Sequence, residues 1–332
     1  MDIKQIAEMA GVSRATVSRY FNNGYVSQEK RAAIARVIKK TGYAPSRQAK
    51  TLRTGKSGLV GVIIPKINSA SVSRMVAGIT SVLNEAGYQL LLANTDNDAK
   101  VEVDFLKLFA ERSNVDGVIL VATVFTRAHR EAISALPVPL VVLDQVLPGY
   151  CSVYQDDYGA MRDVADLALR TSAHPAYIGV LEEDVAAGSE RRRGYLDACR
   201  AHGIEVSDDR LLVTDFSIDG GYSACEQLLA RGLEFDALVC ATDSIAYGAL
   251  TCLREHERAV PREVQVVGIG DSELSQVITP RLTTVHYHYK TSGIEAARML
   301  LGLMASTEGV WRETKMGYDV VERDSTSACL SE

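Results

Sequence analysis

The spacing of apolar residues changes once along the chain. Up to about residue 57 they recur at helical intervals in short runs broken by turn residues; from Gly58 onward, near-continuous apolar runs alternate with amphipathic stretches. A first helix opens at Asp2, an N-cap with Gln5 three residues on as capping-box partner, and puts Ile3, Ile6, Ala7 and Ala10 on one face. Gly11-Val12 makes a sharp turn. Ser13 caps a second helix from Arg14 to Phe21, with Val17 and Phe21 inward, which leaves Arg14, Ala15, Thr16, Ser18 and Arg19 at its front and side. Ser27 caps a third helix that carries Ile34, Val37 and Ile38 and stops at Gly42. This is helix-turn-helix spacing, in which the second helix enters the DNA major groove with its N-terminal side chains on base edges.

After Gly58 the runs GLVGVIIP, YQLLLANTD, DGVILVA and PLVVLD read as buried strands, with helices over 73–86 and 100–112. A second series follows: AYIGVL, RLLVTD, DALVCATD and VQVVGIGD. Apolar strands joined by helices mean parallel sheets covered on both faces. Two series of similar size predict two α/β subdomains with a cleft between them. Ligands bind outside the carboxyl ends of such strands, which here carry Asn94, Asp96, Asp144, Asp243 and Asp271; some of these would only cap helices or close turns.

Charge localises the function. Residues 1–57 hold twelve Lys and Arg against Asp2, Glu8 and Glu29, so the head carries +9; the whole chain is −6, so the rest carries −15. A basic head on an acidic body confines polyanion binding to the head. With 47% hydrophobic residues the chain can bury a sizeable core, and it has no apolar run of 18 residues, so no membrane span is expected. MDIKQIAEMAG lacks the basic-then-apolar pattern of a secretion signal, and six scattered cysteines without a C-x-x-C pair fit free thiols in a reducing cytoplasm. No metal-ligand spacing, phosphate loop or nucleophile elbow is present, and Gly268-Ile269-Gly270 lacks the third glycine of a dinucleotide turn. No cofactor and no metal are expected. A sugar-binding transport protein would have a similar core but needs a signal peptide and no basic head. A sugar-processing enzyme would need a paired acid and base in the cleft, such as Asp144 with Asp243.

AGVSRATVSRYFN, the segment Ala49-Lys50-Thr51-Leu52-Arg53-Thr54-Gly55, VPREVQVVGIGD and PRLTTV closely resemble the lactose-repressor/galactose-repressor (LacI/GalR) family from Ile3 to about Ser325. The resemblance implies an α/β chain with a helix-turn-helix head (1–46), a hinge helix (47–57) and a periplasmic-binding-protein-like effector and dimerisation core (58–332). Within that core one subdomain takes about 58–157 plus 289–316, the other about 158–285 plus 317–326. It implies that Arg14 and Ala15 occupy specificity positions, that Thr16, Ser18 and Arg19 read bases and phosphates, and that Asn22 meets the backbone. Ala49, Leu52 and Arg53 fall on the hinge, whose roughly nine residues are too few for a stable isolated helix. Leu52 matches a leucine that wedges into the central base step, and small Ala49 lets two hinges approach.

In the core, Arg191 matches an arginine that hydrogen-bonds sugar hydroxyls and Phe216 a ring that stacks on the sugar. Ser69 and Ser71 stand where Asn and Phe are usual. Asp144, Tyr154, Thr242, Asp243, Tyr287 and Tyr289 align with other cleft positions. Gly270 replaces a frequent acidic ligand, which leads one to expect room beside Tyr287 and Tyr289 for a second ring. PKINS, GIGDSELS and HYHYKTSGIEAA resemble the sucrose-operon branch, implying sucrose or a fructose-containing sugar as effector. The expectation is a cytoplasmic homodimeric repressor whose partners are operator DNA and a small sugar, with corepression the alternative mechanism.

Overall fold

The computed structural model describes residues 1–22, 24–43, 56–112, 115–306 and 310–327. It divides into two compact units, Met1–Gly58 and Leu59–Glu332.

The first unit holds α1 (Ile3–Met9), α2 (Arg14–Phe21) and α3 (Gln28–Thr41). The Gln5 amide donates to Asp2 Oδ1 and the Asp2 amide to Gln5 Oε1, each at 2.9 Å, which closes the capping box. The Thr16 amide donates to Ser13 Oγ at 3.2 Å. Ser27 stands at the start of α3, but its hydroxyl makes no capping bond, contrary to the sequence expectation. Gly42 ends α3 with φ 63°, the left-handed conformation that glycine adopts without a Cβ penalty. Ile6, Ala7, Val17 and Ile34 form the small core, with Val12, Phe21, Val37 and Ile38 packed around it.

The second unit contains two parallel sheets. The first has six strands in the order β11-β5-β4-β3-β1-β2: β1 (Leu59–Ile64), β2 (Gln89–Asn94), β3 (Gly117–Val121), β4 (Leu140–Leu143), β5 (Cys151–Gln155) and β11 (Glu313–Met316). Its helices are α4 (Ala70–Glu85), α5 (Ala99–Arg112), α6 (Arg127–Ser134) and α12 (Tyr289–Ala305). The second has four strands in the order β7-β6-β8-β9: β6 (Pro175–Gly179), β7 (Leu211–Val213), β8 (Ala237–Cys240) and β9 (Gln265–Val267). It is flanked by α7 (Asp157–Leu169), α8 (Arg191–Ala201), α9 (Ile218–Ala230) and α10 (Asp243–Glu255). A short α11 (Leu274–Val277) precedes an antiparallel ribbon of β10 (Thr284–Tyr287) and β12 (Tyr318–Val321). The apolar runs are strands because both faces are covered: Val60 through Ile64 and Val118 through Val121 are all but inaccessible. The chain passes between the sheets after β5, before α12 and after β11, so three short crossings join the two halves of this unit.

Candidate functional site

On the head, α2 presents Arg14, Ala15 and Arg19 exposed and Thr16 and Ser18 half-buried. Thr16 Oγ1 lies 2.9 Å from Ser13 Oγ, which fixes the first turn. Asn22 Nδ2 donates to the Ser18 carbonyl at 2.5 Å and so closes the end of the helix. The hinge residues Ala49, Leu52 and Arg53 lie outside the described residues.

In the second unit the carboxyl ends of the two sheets enclose a cavity of about 590 Å³, within the range of small-molecule sites. β1 contributes Pro65 and Lys66, β3 Ala122 and Thr123, β4 Asp144 and Gln145, β8 Thr242 and Asp243, and β9 Ile269 and Gly270. Nine of the residues expected in the cleft meet here: Ser69, Ser71, Asp144, Arg191, Phe216, Thr242, Asp243, Gly270 and Tyr289. Among the strand-end residues, Asn94, Asp96 and Asp271 do not reach the lining.

Arg191 is less free than the resemblance implies. Its Nε and Nη2 reach Asp157 Oδ1 at 2.7 and 2.6 Å, and its Nη1 donates to the Ala241 carbonyl at 2.6 Å. Three of its five N–H groups are thereby spent inside the protein. Asp157, buried like Arg191, also accepts from Tyr287 Oη at 3.1 Å. Tyr287 is fully buried beneath the cavity floor and does not line it. Tyr154 is likewise not a cleft residue: it stands near the end of β5, in register with Lys315 of β11, and does not line the cavity. For Tyr287 the reason is a partner distant in sequence, Asp157, which holds its hydroxyl in the core.

Asp243 lines the cavity with its carboxylate already engaged inside the protein. Its carboxylate accepts from the Ser272 amide at 3.0 Å and from the hydroxyls of Thr284 and Tyr247. Burial raises its pKa. This locks the loop after β9 and leaves Asp243 badly placed as half of an acid–base pair. Asp144 makes no side-chain hydrogen bond among the described residues and adopts φ 75°. Burial pushes its carboxyl up to about 7; the charge of Asp157 adds to the rise and Arg191 opposes it. Arg74, on α4, stands beside Gly270 on the cavity wall: its Nη2 donates to the Gly270 carbonyl at 2.5 Å and its guanidinium lies 4.9 Å from the centre of the Tyr289 ring.

Sequence reasoning did not find Arg74, Gln145, Asp157 or Asp184. Arg74 reads as an ordinary polar position on an amphipathic helix, and Asp184 as one of three acidic residues in a loop. Gln145 Nε2 donates to Asp184 Oδ1 at 2.8 Å, where Asp184 also caps the Val185–Glu190 π-helical turn. Among the described residues no three His, Cys, Asp or Glu side chains gather as metal ligands, and no helix is long and apolar enough to cross a membrane.

Residues 2–46 match the family described as bacterial regulatory proteins, lacI family, and residues 167–326 match a periplasmic binding protein-like domain. The chain is 32% identical over 293 residues to the sucrose operon repressor of Staphylococcus xylosus, covering 88% of this chain and 90% of that protein. The chain belongs to the lacI family. It is therefore a DNA-binding transcription regulator and not an enzyme. The ribose operon repressor of Escherichia coli strain K12 is almost as similar, 31% over 288 residues with 86% and 87% coverage. The fold is also that of the Lac repressor dimer bound to operator and the anti-inducer ONPF, with a TM-score of 0.89, 24% identity and 99% of both chains covered. The lacI match at 2–46 spans α1, α2 and α3, and the match at 167–326 includes the cavity residues from Asp184 to Tyr289.

Proposed function

We propose that this lacI-family chain is a cytoplasmic, homodimeric repressor of a sugar-utilisation operon, released from a pseudo-palindromic operator by a small sugar in the cavity between the two sheets. What carries this reading is the pairing of a +9 head with a cavity at the strand ends of an acidic body. Each head reads a half-site, with Arg14 and Ala15 on base edges, Thr16, Ser18 and Arg19 on bases and phosphates, and Asn22 on the backbone. Hinge residues 47–57 pair at the operator centre, where Leu52 wedges between bases, Ala49 allows close approach and Arg53 meets phosphate. The core, 58–332, works as two subdomains. The sugar is held by Asp144, by the two free N–H groups of Arg191, and by Phe216, Thr242, Ser69 and Ser71.

A cavity of about 590 Å³ accommodates a disaccharide, which together with the resemblance to a sucrose operon repressor favours sucrose or another fructose-containing sugar. The similarity to a ribose operon repressor makes ribose the competing effector. Sugar that binds the released conformation better shifts the equilibrium away from DNA.

The test is binding of the full-length protein to the promoter upstream of its own gene, titrated with sucrose, fructose, glucose, galactose and ribose. Release by sucrose or fructose alone supports the reading. Release by ribose or galactose alone overturns the effector assignment, and tighter binding with sugar makes the protein a corepressed one.

A further inference from the structure

Arg74 belongs to α4, on the six-stranded side of the cavity, yet it bonds to the loop that leaves β9 on the four-stranded side. Its Nη2 donates to the Gly270 carbonyl at 2.5 Å and its Nη1 to the Asp271 carbonyl at 3.3 Å. Its Nε donates to the Ala70 carbonyl at 3.3 Å within its own helix, and the Tyr289 ring supports the guanidinium from one face. The loop is shaped to present those two carbonyls. Gly270 has φ 141°, a backbone region almost closed to residues with a Cβ, and Asp271 has φ 46°. The Asp271 carboxylate is gripped from behind by Arg323 Nη2 at 2.6 Å and His286 Nδ1 at 2.8 Å. On the opposite flank of the same cavity, the Gln145–Asp184 bond also runs from one half to the other.

We propose that Arg74 is a latch across the cleft. It sets how far the cleft stands closed without ligand, and through that the affinity and selectivity of the effector site. The inference rests on reading the cavity as that site. Opening the cleft separates α4 from the 270–271 loop and breaks both bonds at once, while the Gln145–Asp184 bond breaks on the other flank. A hydrogen bond from a charged donor shifts such an equilibrium by roughly tenfold or more. A ligand that binds only the closed cleft loses apparent affinity in proportion to the closed fraction. A lysine at this position supplies a point charge on a flexible stem, which reaches one carbonyl at best and cannot lie flat on Tyr289.

Hydrogen–deuterium exchange of the ligand-free, full-length protein tests the latch, comparing wild type with R74A, R74K and Q145A. The diagnostic amides are those of 184–188, which belong to the other flank and do not touch Arg74. R74A is expected to speed their exchange about tenfold, along with that of 269–273; R74K should fall between R74A and wild type, and Q145A should loosen 269–273 in return. No change, or a change in R74A confined to 70–75 and 269–273, overturns the latch and makes Arg74 a local contact. If R74A does not fold, R74K and Q145A still decide the point by the same reciprocal pattern. Release from operator DNA by sucrose, fructose and ribose forms a separate arm. There R74A is expected to need about tenfold more of whichever sugar releases wild type, and an unchanged requirement counts against the latch. If no sugar releases wild type, the proposed effector fails while the exchange data still decide the latch.

Discussion

Asp144 holds its carboxyl at the end of β4 in left-handed backbone, and burial lifts its pKa to about 7. Asp184, across the cavity, is lifted to about 6, again by burial, with the Ala187 amide and Arg191 opposing. An unfolded aspartate titrates near 3.9. Between that value and about 6 to 7, the folded protein therefore binds more protons at these two sites than the unfolded chain does. Their contribution to stability is complete below the unfolded pKa and is lost as the pH rises through 6 to 7. Asp271 has the opposite sign: despite its burial, bonds from Arg323 and His286 hold it below the usual carboxylate range, so its contribution is lost only in stronger acid. The thermal midpoint of the ligand-free protein is thus expected to rise as the buffer goes from pH 7.5 to 5.5. Asp144→Asn, which keeps the shape and tolerates left-handed backbone, should flatten that rise; a wild-type midpoint that falls over this window would contradict the assignment. Arg191 gives the second prediction at this scale. Arg191→Ala strands the buried Asp157 carboxylate and the Ala241 carbonyl, and breaking one side of a buried pair costs roughly 3–5 kcal/mol. Urea denaturation should show that loss. A variant as stable as wild type would make Arg191 a ligand anchor and nothing more.

At the scale of elements, the crossing of α4 and α12 is a tight constraint from both sides. A Cβ on Gly78 would lie 2.1 Å from the Lys290 carbonyl oxygen, and one on Gly293 would lie 2.1 Å from that of Met75. The two helices touch backbone to backbone, so neither glycine can take a methyl without a shift of a whole helix. Gly78→Ala should cost about 2 kcal/mol or more in chemical denaturation, at the upper end of overpacking penalties. The Gly78→Ala, Gly293→Ala double variant should cost less than the sum, because one displacement relieves both clashes. Neither glycine is distinguishable by sequence from any other helical glycine. What was legible were elements with a local signature: the capped α1 and α2, and the eight long apolar runs, each of which is a strand. The strands that escaped notice, β5, β11 and β12, have none. β11 reads ETKM, with alternate residues exposed, and becomes a strand only because Glu313 to Met316 pair with Ser152 to Gln155, about 160 residues earlier. The misplaced ring has the same origin. The family resemblance puts Tyr287 in the cleft; pairing with β12 opposite Tyr318, and the bond to Asp157, turn it into the core instead. The cavity's location at the strand ends followed from the fold rule, but Arg74 and Gln145 are chosen by what lies opposite them, which no local pattern records.

For the whole molecule, the separation of charge matters more than its total. A chain of −6 would be a poor candidate for DNA binding if its charges were mixed, but here +9 is gathered in the first 57 residues. The acidic remainder repels phosphate, so it disfavours non-specific binding through any surface but the head. Two heads on one operator that together neutralise about six to eight phosphates should make log K fall with log salt at a slope of roughly −5 to −7. The same titration separates base reading from charge. Arg14 is exposed at the first turn of α2, where a bidentate contact to guanine is possible. Arg14→Ala should cost about 1–3 kcal/mol per half-site on the operator, and should relax the preference at one base position. On an unrelated duplex it should cost much less. Lys39→Ala, at the far end of α3 and removed from the recognition helix, should leave base preference intact and change the slope by at most about one. If Arg14→Ala instead weakens every sequence alike and reduces only the salt slope, then Arg14 clamps phosphate, and operator choice must come from the remaining side chains of α2 and from the deformability of the operator centre.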